Sequence, residues 1–304
     1  MFAMACTVRN NLHRVRFLAL LPRLETEQDA VMKKCLSAHS RKISMVCGLL
    51  LFLDAPRLLV GEPTTATVSA FNSYSKAVES RLAQQHRSPN VFLALVASYP
   101  EGAETRLRQG QLIIEQLTPS TGTDFSGAML HHWRGTAFAP RAKAADFERL
   151  MRDFNSYPQH FSPQVIQAKV FTQGGDRMQA WMRVRQRHVI TVVMDTTYDI
   201  TFGQLDVQHG YSISQSTRIA EINSPGTSTE RTLNANEEHG FLWRLNTYWS
   251  YEERDGGLYL QIEAVSLTRS IPSGLGWAIR PYVESIPRES LEFTLRSACN
   301  ALRK

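Results

Sequence analysis

The residues Arg254-Asp255-Gly256-Gly257 constrain this chain most, because they separate two long runs in which apolar residues alternate with others. Asp-Gly between such runs is typical of a β-hairpin, since both residues tolerate the positive φ that a two-residue turn requires. Pairing Arg254 with Gly257 sets the register of the ribbon. One face then carries the pairs Tyr251–Leu260, Trp249–Ile262, Thr247–Ala264, Leu245–Ser266 and Trp243–Thr268.

The second face of this ribbon is more polar than the first. It carries the pairs Glu252–Tyr259, Ser250–Gln261, Tyr248–Glu263, Asn246–Val265, Arg244–Leu267 and Leu242–Arg269. A shift of one residue would exchange the two faces, so the division supports the register. It also predicts a sheet that is covered on one side and solvated on the other.

A stripe of apolar residues at helical spacing follows the ribbon and predicts what covers its apolar face. Proline is poorly tolerated inside a helix, so Pro281 and Pro287 predict two pieces, a short helix near 275–285 and a main helix near 287–303. The stripe comprises Leu275, Ile279, Val283, Ile286, Leu291, Leu295, Ala298 and Leu302.

The chain before the ribbon divides into three parts. Apolar spacing predicts a helix over 69–86, the run 104–117 reads as a strand or ribbon, and turn-forming residues over 118–127 mark a boundary. A strand over 128–138 and a helix over 146–154 follow, and then strands near 163–172, 177–188, 189–202, 211–222 and 229–234. The expected organisation is a targeting or disordered segment over 1–65, an extension over 66–127 and a main domain over 128–304.

The positive charge is concentrated at the N terminus. The net charge is +6, yet residues 1–60 hold nine Lys or Arg and four acidic residues, so the remaining 244 residues hold 25 basic and 24 acidic residues. A basic surface on the folded part is not expected, which argues against nucleic-acid binding. Met32-Lys33-Lys34 before the apolar run 43–53 is typical of an export signal and predicts a periplasmic or secreted protein. The alternative is an uncleaved extension on a cytoplasmic protein.

No motif in the sequence marks a catalytic or metal site. His131 and His132 are adjacent in a predicted strand and would point to opposite faces, so they cannot chelate one metal together. His188, His209 and His239 are isolated in sequence, and Cys299 is the last cysteine after Cys6, Cys35 and Cys47. Arg183, Arg185 and Arg187 share one strand face and could bind an anion or pair with acids on neighbouring strands. The acids flanking the 254–257 turn are read as ordinary charged turn flanks.

The order of strand, helix, about six strands and long helix over 128–304 resembles the START-like or SRPBCC superfamily, the helix-grip fold of lipid-transfer domains and polyketide cyclases. The aromatic ribbon (Trp243, Tyr248, Trp249, Tyr251) and the closing helix contribute to the likeness. The resemblance implies an α+β fold in which a long C-terminal helix closes a curved antiparallel sheet, with a helical and strand extension before it. It also implies an apolar cavity between sheet and helix. The implied lining is Trp243, Leu245, Trp249, Tyr251, Ile262, Leu291 and Leu295, with Trp277 and Tyr282 at the mouth.

Two functions fit this reading, and a third involves no ligand. The first is the binding or transport of a hydrophobic small molecule, lipid-like or isoprenoid-like, without a cofactor or metal; such a ligand is compatible with transient membrane contact. The second is an enzyme of the polyketide cyclase or aromatase type, which an acid or histidine inside the cavity would favour. The third is a protein-interaction module whose cavity is filled by its own side chains. Nothing in the sequence fixes an oligomeric state.

Overall fold

A computed structural model of the protein describes residues 62–94, 102–118, 125, 127–187, 191–238, 242–270 and 276–303, and for 276–284 it describes the backbone alone. The predicted export signal falls on residues outside this set, as do His188, His239 and the first three cysteines, so export remains a prediction. No helix in the described ranges is long and apolar enough to cross a membrane.

Helices lie at both ends of the described chain, and two short helices interrupt the series of strands between them. The helices are α1 (Thr65–Gln85), α2 (Ala103–Arg108), α3 (Ala144–Arg152), α4 (Tyr157–His160) and α5 (Gly276–Ala301). The strands are β1 (Ile113–Gln116), β2 (Ala128–Pro140), β3 (Val165–Gly174), β4 (Arg177–Arg187), β5 (Thr191–Gln204), β6 (His209–Asn223), β7 (Arg231–Thr232), β8 (Leu242–Arg254) and β9 (Gly257–Arg269).

The strands form one antiparallel sheet in the order β1-β2-β9-β8-β6-β5-β4-β3, with β7 added to β6. The sheet is curved and open, because β1 and β3 lie at opposite ends of this path. The expected α+β helix-grip architecture is therefore confirmed. The β8–β9 hairpin lies near the middle of the sheet, between β2 and β6, and organises both of its faces.

The predicted register of the hairpin is confirmed from Arg254–Gly257 back to Arg244–Leu267. Asp255 and Gly256 occupy the turn with φ of 57° and 73°. The prediction is wrong at the far end, where an irregularity between Leu242 and Arg244 pairs Leu242 with Thr268. The inserted residue, Trp243, leaves the predicted face and packs with the cluster on the opposite side of the sheet. A bulge of this kind turns the strand and redirects one side chain.

We call the side of the sheet that carries Trp249, Tyr251 and Ile262 the α5 face. These side chains share one buried cluster with Phe147 of α3 and with Leu291 and Leu295 of α5. The helix lies close to β2 at Gly135, where an added Cβ would lie 2.7 Å from Leu295 Cδ1. A side chain at this position would therefore force the buried Leu295 to shift.

The C-terminal helix is one element, Gly276–Ala301, and not the two pieces that the prolines predicted. A proline inside a helix removes one backbone hydrogen bond and crowds the preceding turn. Here Leu291, Leu295, Ala298 and Leu302 are each buried to 6% exposure or less. Burial of this stripe against the sheet offsets the cost at Pro281 and Pro287 and keeps the helix continuous.

The prediction that the second hairpin face is solvated is wrong. We call this side the α1 face, because α1 covers it with Phe71, Val78 and Leu82. Ser250, Gln261 and Glu263 are exposed by only 1–2%. Helix α1 confirms the helix predicted over 69–86 and begins earlier, at Thr65, because the hydroxyl of Thr64 accepts a hydrogen bond from the Thr67 amide at 3.1 Å.

The stretch predicted as a ribbon over 104–117 forms helix α2 and then strand β1. The helix buries Leu107 in a small cluster with Phe92, Phe138 and Tyr259, which extends the cover of the α1 face. The predicted domain boundary over 118–127 lies mostly outside the described residues and stays a prediction.

The close approach of α5 to β2 gives a test of the core. Gly135→Val should lower the free energy of unfolding by about 1–3 kcal/mol, because the added side chain overpacks the contact with Leu295. Gly174→Val is the matched control, since nothing lies within 4 Å of a Cβ at that position. Urea unfolding measures both, and equal stabilities would contradict the packing of α5 on β2.

Candidate functional site

One end of the α5 face is packed as a solid core. The ring of Phe147 meets Trp249 and Tyr251 edge to face, with both centroid distances at 5.1 Å. Tyr251 lies flat over Gly210 of β6, where a Cβ would lie 2.3 Å from the phenol oxygen. Leu258 and Leu260 have no exposed area. These aromatic residues therefore stabilise the fold whatever else they do.

The α5 face is packed less completely on β2 and β9 and again, beyond the central strands, on β3 and β4. A set of apolar side chains there contacts the cluster and keeps some exposed area, and we call this set the apolar strip. Leu245 of β8 lies on the same face and is also partly buried. The apolar strip consists of Trp133 on β2, Ala168 and Val170 on β3, Met182 and Val184 on β4 and Ala264 on β9.

Strand β6 crosses the α5 face with small polar side chains. Ser212 lies beside Trp249 and Ser214 beside Thr247 in the β6–β8 register. Ser216 Oγ accepts a hydrogen bond from the backbone amide of Leu245 at 2.9 Å. On the other side of β6, the same serines lie opposite Tyr198, Ile200 and Phe202 of β5.

The structure brings together most of the side chains predicted to line a cavity. Trp249, Tyr251, Ile262, Leu291 and Leu295 share one cluster, and Leu245 lies on the same face. Trp243 does not join them, because the bulge directs it to the α1 face. For Trp277 and Tyr282 the side chains lie outside the described residues.

The α1 face holds a buried polar network that sequence reasoning missed. Glu263, 1% exposed, receives hydrogen bonds from Arg81 of α1 at 2.5 Å and from His132 Nε2 at 2.9 Å. Arg134 pairs with it at 3.6 Å. Because an ionised carboxylate only accepts, His132 donates to it through Nε2, and its Nδ1 lies 3.0 Å from the hydroxyl oxygen of Tyr74. Strands β2 and β9 and helix α1 are thus connected through one carboxylate.

Further polar contacts join α1 to the hairpin along the same face. His86 Nε2 lies 2.7 Å from Ser250 Oγ, and Tyr248 donates to Glu79 at 3.0 Å. In sequence these polar residues look like an ordinary solvated helix and strand. One feature of the sequence could have indicated the network: several polar residues share one hairpin face, at positions that alternate with the apolar residues. They are Asn246, Ser250, Gln261 and Glu263.

The ionisation of this network follows from burial and nearby charge. Burial alone would raise the pKa of Glu263, but the hydrogen bond from His132 and the positive charge of Arg81 outweigh it and hold the pKa below its usual value. Burial lowers the pKa of His86 to about 4. At pH 7 Glu263 is therefore ionised and His86 is neutral.

The remaining candidates have ordinary structural partners. Arg183 forms a two-pronged pair with Asp195, at 2.7 and 3.0 Å, and contacts Glu230 at 2.9 Å. His209 Nδ1 contacts Asp206 at 2.7 Å. Burial raises the pKa of the Cys299 thiol to about 11, so this cysteine is a poor nucleophile at neutral pH. In the part of the chain that the structure describes, no three His, Cys, Asp or Glu side chains converge as metal ligands.

The two adjacent histidines point to opposite faces, as predicted. His132 joins the network on the α1 face, whereas His131 lies on the α5 face with Nε2 at 3.0 Å from Thr268 Oγ1. His131 is 5% exposed, and burial lowers its pKa. The α5 face therefore contains a neutral histidine beside its apolar strip.

No protein-family model and no curated protein matches the chain. Solved structures similar to it include a STAR-related lipid transfer protein from Xanthomonas axonopodis, at 16% identity and a TM-score of 0.42, with 63% of this chain and 99% of that chain covered. The Zhui aromatase/cyclase from Streptomyces is 12% identical with a TM-score of 0.37, covering 56% of this chain and 92% of that one. A START superfamily protein from Mycobacterium smegmatis is 11% identical with a TM-score of 0.36, covering 58% and 96%.

The buried His86 predicts a specific pH dependence. In the unfolded chain His86 binds a proton below about pH 6.5, whereas in the folded chain it binds one only below about pH 4. Stability from this group is therefore lost as the pH falls, by about 3 kcal/mol between pH 7.5 and 4. His86→Gln offers an amide toward Ser250 without the titration. Urea unfolding at both pH values should show a fall in the parent that exceeds the fall in the variant by this amount. Equal falls would mean that His86 titrates freely.

Proposed function

We propose that the protein binds a hydrophobic small molecule, lipid-like or isoprenoid-like, between the α5 face of the sheet and α5. The observation that carries the proposal is the apolar strip, a set of apolar side chains on β2 and β9 and on β3 and β4 that packs against the α5-face cluster and is only partly buried. Its members retain surface that the protein's own packing does not cover, although they lie next to a fully packed core.

Such surface favours an apolar ligand on energetic grounds. Burying apolar area contributes about 25 cal/mol per Å², so a ligand that covers Trp133, Met182 and Val184 gains affinity from each of them. Ligand sites are usually concave and mostly apolar, with few polar groups. The side chains that β6 contributes to this face, Ser212, Ser214 and Ser216, are small, which supports the proposal.

The proposed site has a rigid floor and a softer rim. Trp249, Tyr251, Ile262, Leu291 and Leu295 form the floor, where they are 6% exposed or less. Leu245 and the apolar strip form the surface that the ligand contacts. Trp277 and Tyr282 belong to the first half of α5. Their proposed position is the mouth of the site.

Export remains part of the proposal. The charge pattern and apolar run within residues 32–53 support it, and a ligand carrier outside the cytoplasm would accept its cargo from, or deliver it to, a membrane surface.

One observation favours the second candidate, an enzyme of the cyclase or aromatase type. His131 lies buried on the α5 face with a low pKa, which suits a proton acceptor near an apolar substrate. Its described hydrogen-bond partner is a threonine hydroxyl, and no acid is paired with it in the described contacts. Binding is therefore the better-supported function.

Cavity filling tests the proposal. Nile red should gain fluorescence with the parent protein, and Ala264→Trp should abolish that gain while the melting temperature stays near the parent value, because Ala264 belongs to the partly buried apolar strip. Ala298→Trp is the matched control. Ala298 has no exposed area, so overpacking there should cost about 1–3 kcal/mol or more.

Two results would contradict ligand binding. If the parent gives no Nile red signal and both tryptophans destabilise the fold equally, the α5 face is a solid core. The interaction-module alternative would then be the better description.

A further inference from the structure

Trp133 carries a buried hydrogen-bond donor on the α5 face. It lies in the middle of β2, opposite Ala264 of β9 and Gln116 of β1, and packs against the α5-face cluster. Its indole Nε1 is buried, and the described structure gives it no hydrogen-bond acceptor. Most buried donors in folded proteins are paired, so an unpaired one calls for an acceptor from outside the chain.

His131 lies two residues earlier on the same face of β2. Its Nε2 is 3.0 Å from Thr268 Oγ1, and that hydroxyl donates to the Met129 carbonyl at 3.4 Å. Since the hydroxyl proton is used there, His131 donates through Nε2, and its Nδ1 keeps a lone pair. Alternate residues on one strand lie about 7 Å apart, so a single ligand end group can reach both side chains.

The described cross-strand neighbours of these two residues are neutral. Their cross-strand neighbours on β9 that share the face are Ala264, Ser266 and Thr268, and the next strand contributes Leu245 and Thr247. A carboxylate or phosphate placed here would lose its hydration without meeting a cation on these neighbouring strands, which is costly. An uncharged oxygen would accept the indole proton without that cost.

We propose that Trp133 and His131 form a polar subsite for an uncharged oxygen, a carbonyl or hydroxyl, on an otherwise apolar ligand. This proposal rests on the proposed function. It specifies the ligand class as a neutral amphiphile that carries oxygen. Trp133 donates to the oxygen. His131 accepts from a hydroxyl ligand and only borders a carbonyl ligand.

Three ligands of matched shape test the subsite in competition with Nile red on the full-length protein. They are 2-acetylnaphthalene with a carbonyl, 2-ethylnaphthalene without an oxygen, and 2-naphthoate with a negative charge. The parent should bind the ketone about tenfold more tightly than the hydrocarbon, the value of one buried hydrogen bond, and should bind the carboxylate more weakly than the ketone.

Trp133→Phe should remove the preference for the ketone and leave the affinity for the hydrocarbon within about twofold. The matched control is Trp181→Phe, which deletes an indole on the opposite side of the sheet, beside Arg183, and should keep the preference.

The indole N–H resonance of Trp133 in the parent gives a readout that does not depend on the variant's stability. It should move downfield with the ketone and not with the hydrocarbon. Equal affinities for ketone and hydrocarbon, or an unmoved resonance, would overturn the subsite and leave hydrophobic binding intact. Carboxylate binding as tight as ketone binding would overturn the requirement for an uncharged oxygen. Binding of neither naphthalene would overturn the proposed function together with the subsite.

Discussion

The carboxylate of Glu263 is the constraint on which the rest of the structure depends. It lies at the centre of the sheet with 1% exposure, and burying an ionised group is costly unless cations and donors surround it. Arg81 from α1 and His132 and Arg134 from β2 supply them. Without α1, Glu263 and the neighbouring polar side chains of the sheet would lose the hydrogen-bond and charge partners that the helix supplies. Helix α1 is therefore an integral layer of the domain.

This second layer changes the role of the hairpin. Along β8 and β9, successive side chains point alternately to the α5 face and the α1 face. Trp249 packs under α3 and α5, while its neighbours Tyr248 and Ser250 form hydrogen bonds with Glu79 of α1 and with His86, which follows α1. The α1 face is held by directional polar contacts and a small apolar cluster. The α5 face can then leave its apolar strip partly uncovered, because the stability of the sheet does not rest on that face alone.

The sequence predicted the features that depend on local pattern. The turn at Asp255-Gly256 fixed the register, and the spacing of Leu291, Leu295 and Ala298 identified the closing helix. The polar network could not be read in advance, because Arg81 and Glu263 are 182 positions apart and each looks solvated in its own element. The bulge at Trp243 and the continuity of α5 through its prolines also depend on packing that the local sequence does not show.

The position of α1 also has a consequence for the order of assembly. During synthesis α1 emerges before the other described elements, yet the groups that contact it lie on β2, β8 and β9, up to 182 residues later. Contacts of such long range form late, after local hairpins, because closing the intervening loop costs entropy. Until these contacts form, α1 is exposed to solvent. The side of α1 that packs on the sheet tolerates this exposure, because it carries Ser75, Glu79 and Arg81 beside only a few apolar residues. Because this surface of α1 is partly polar, α1 can remain solvated until β8 and β9 have been synthesised.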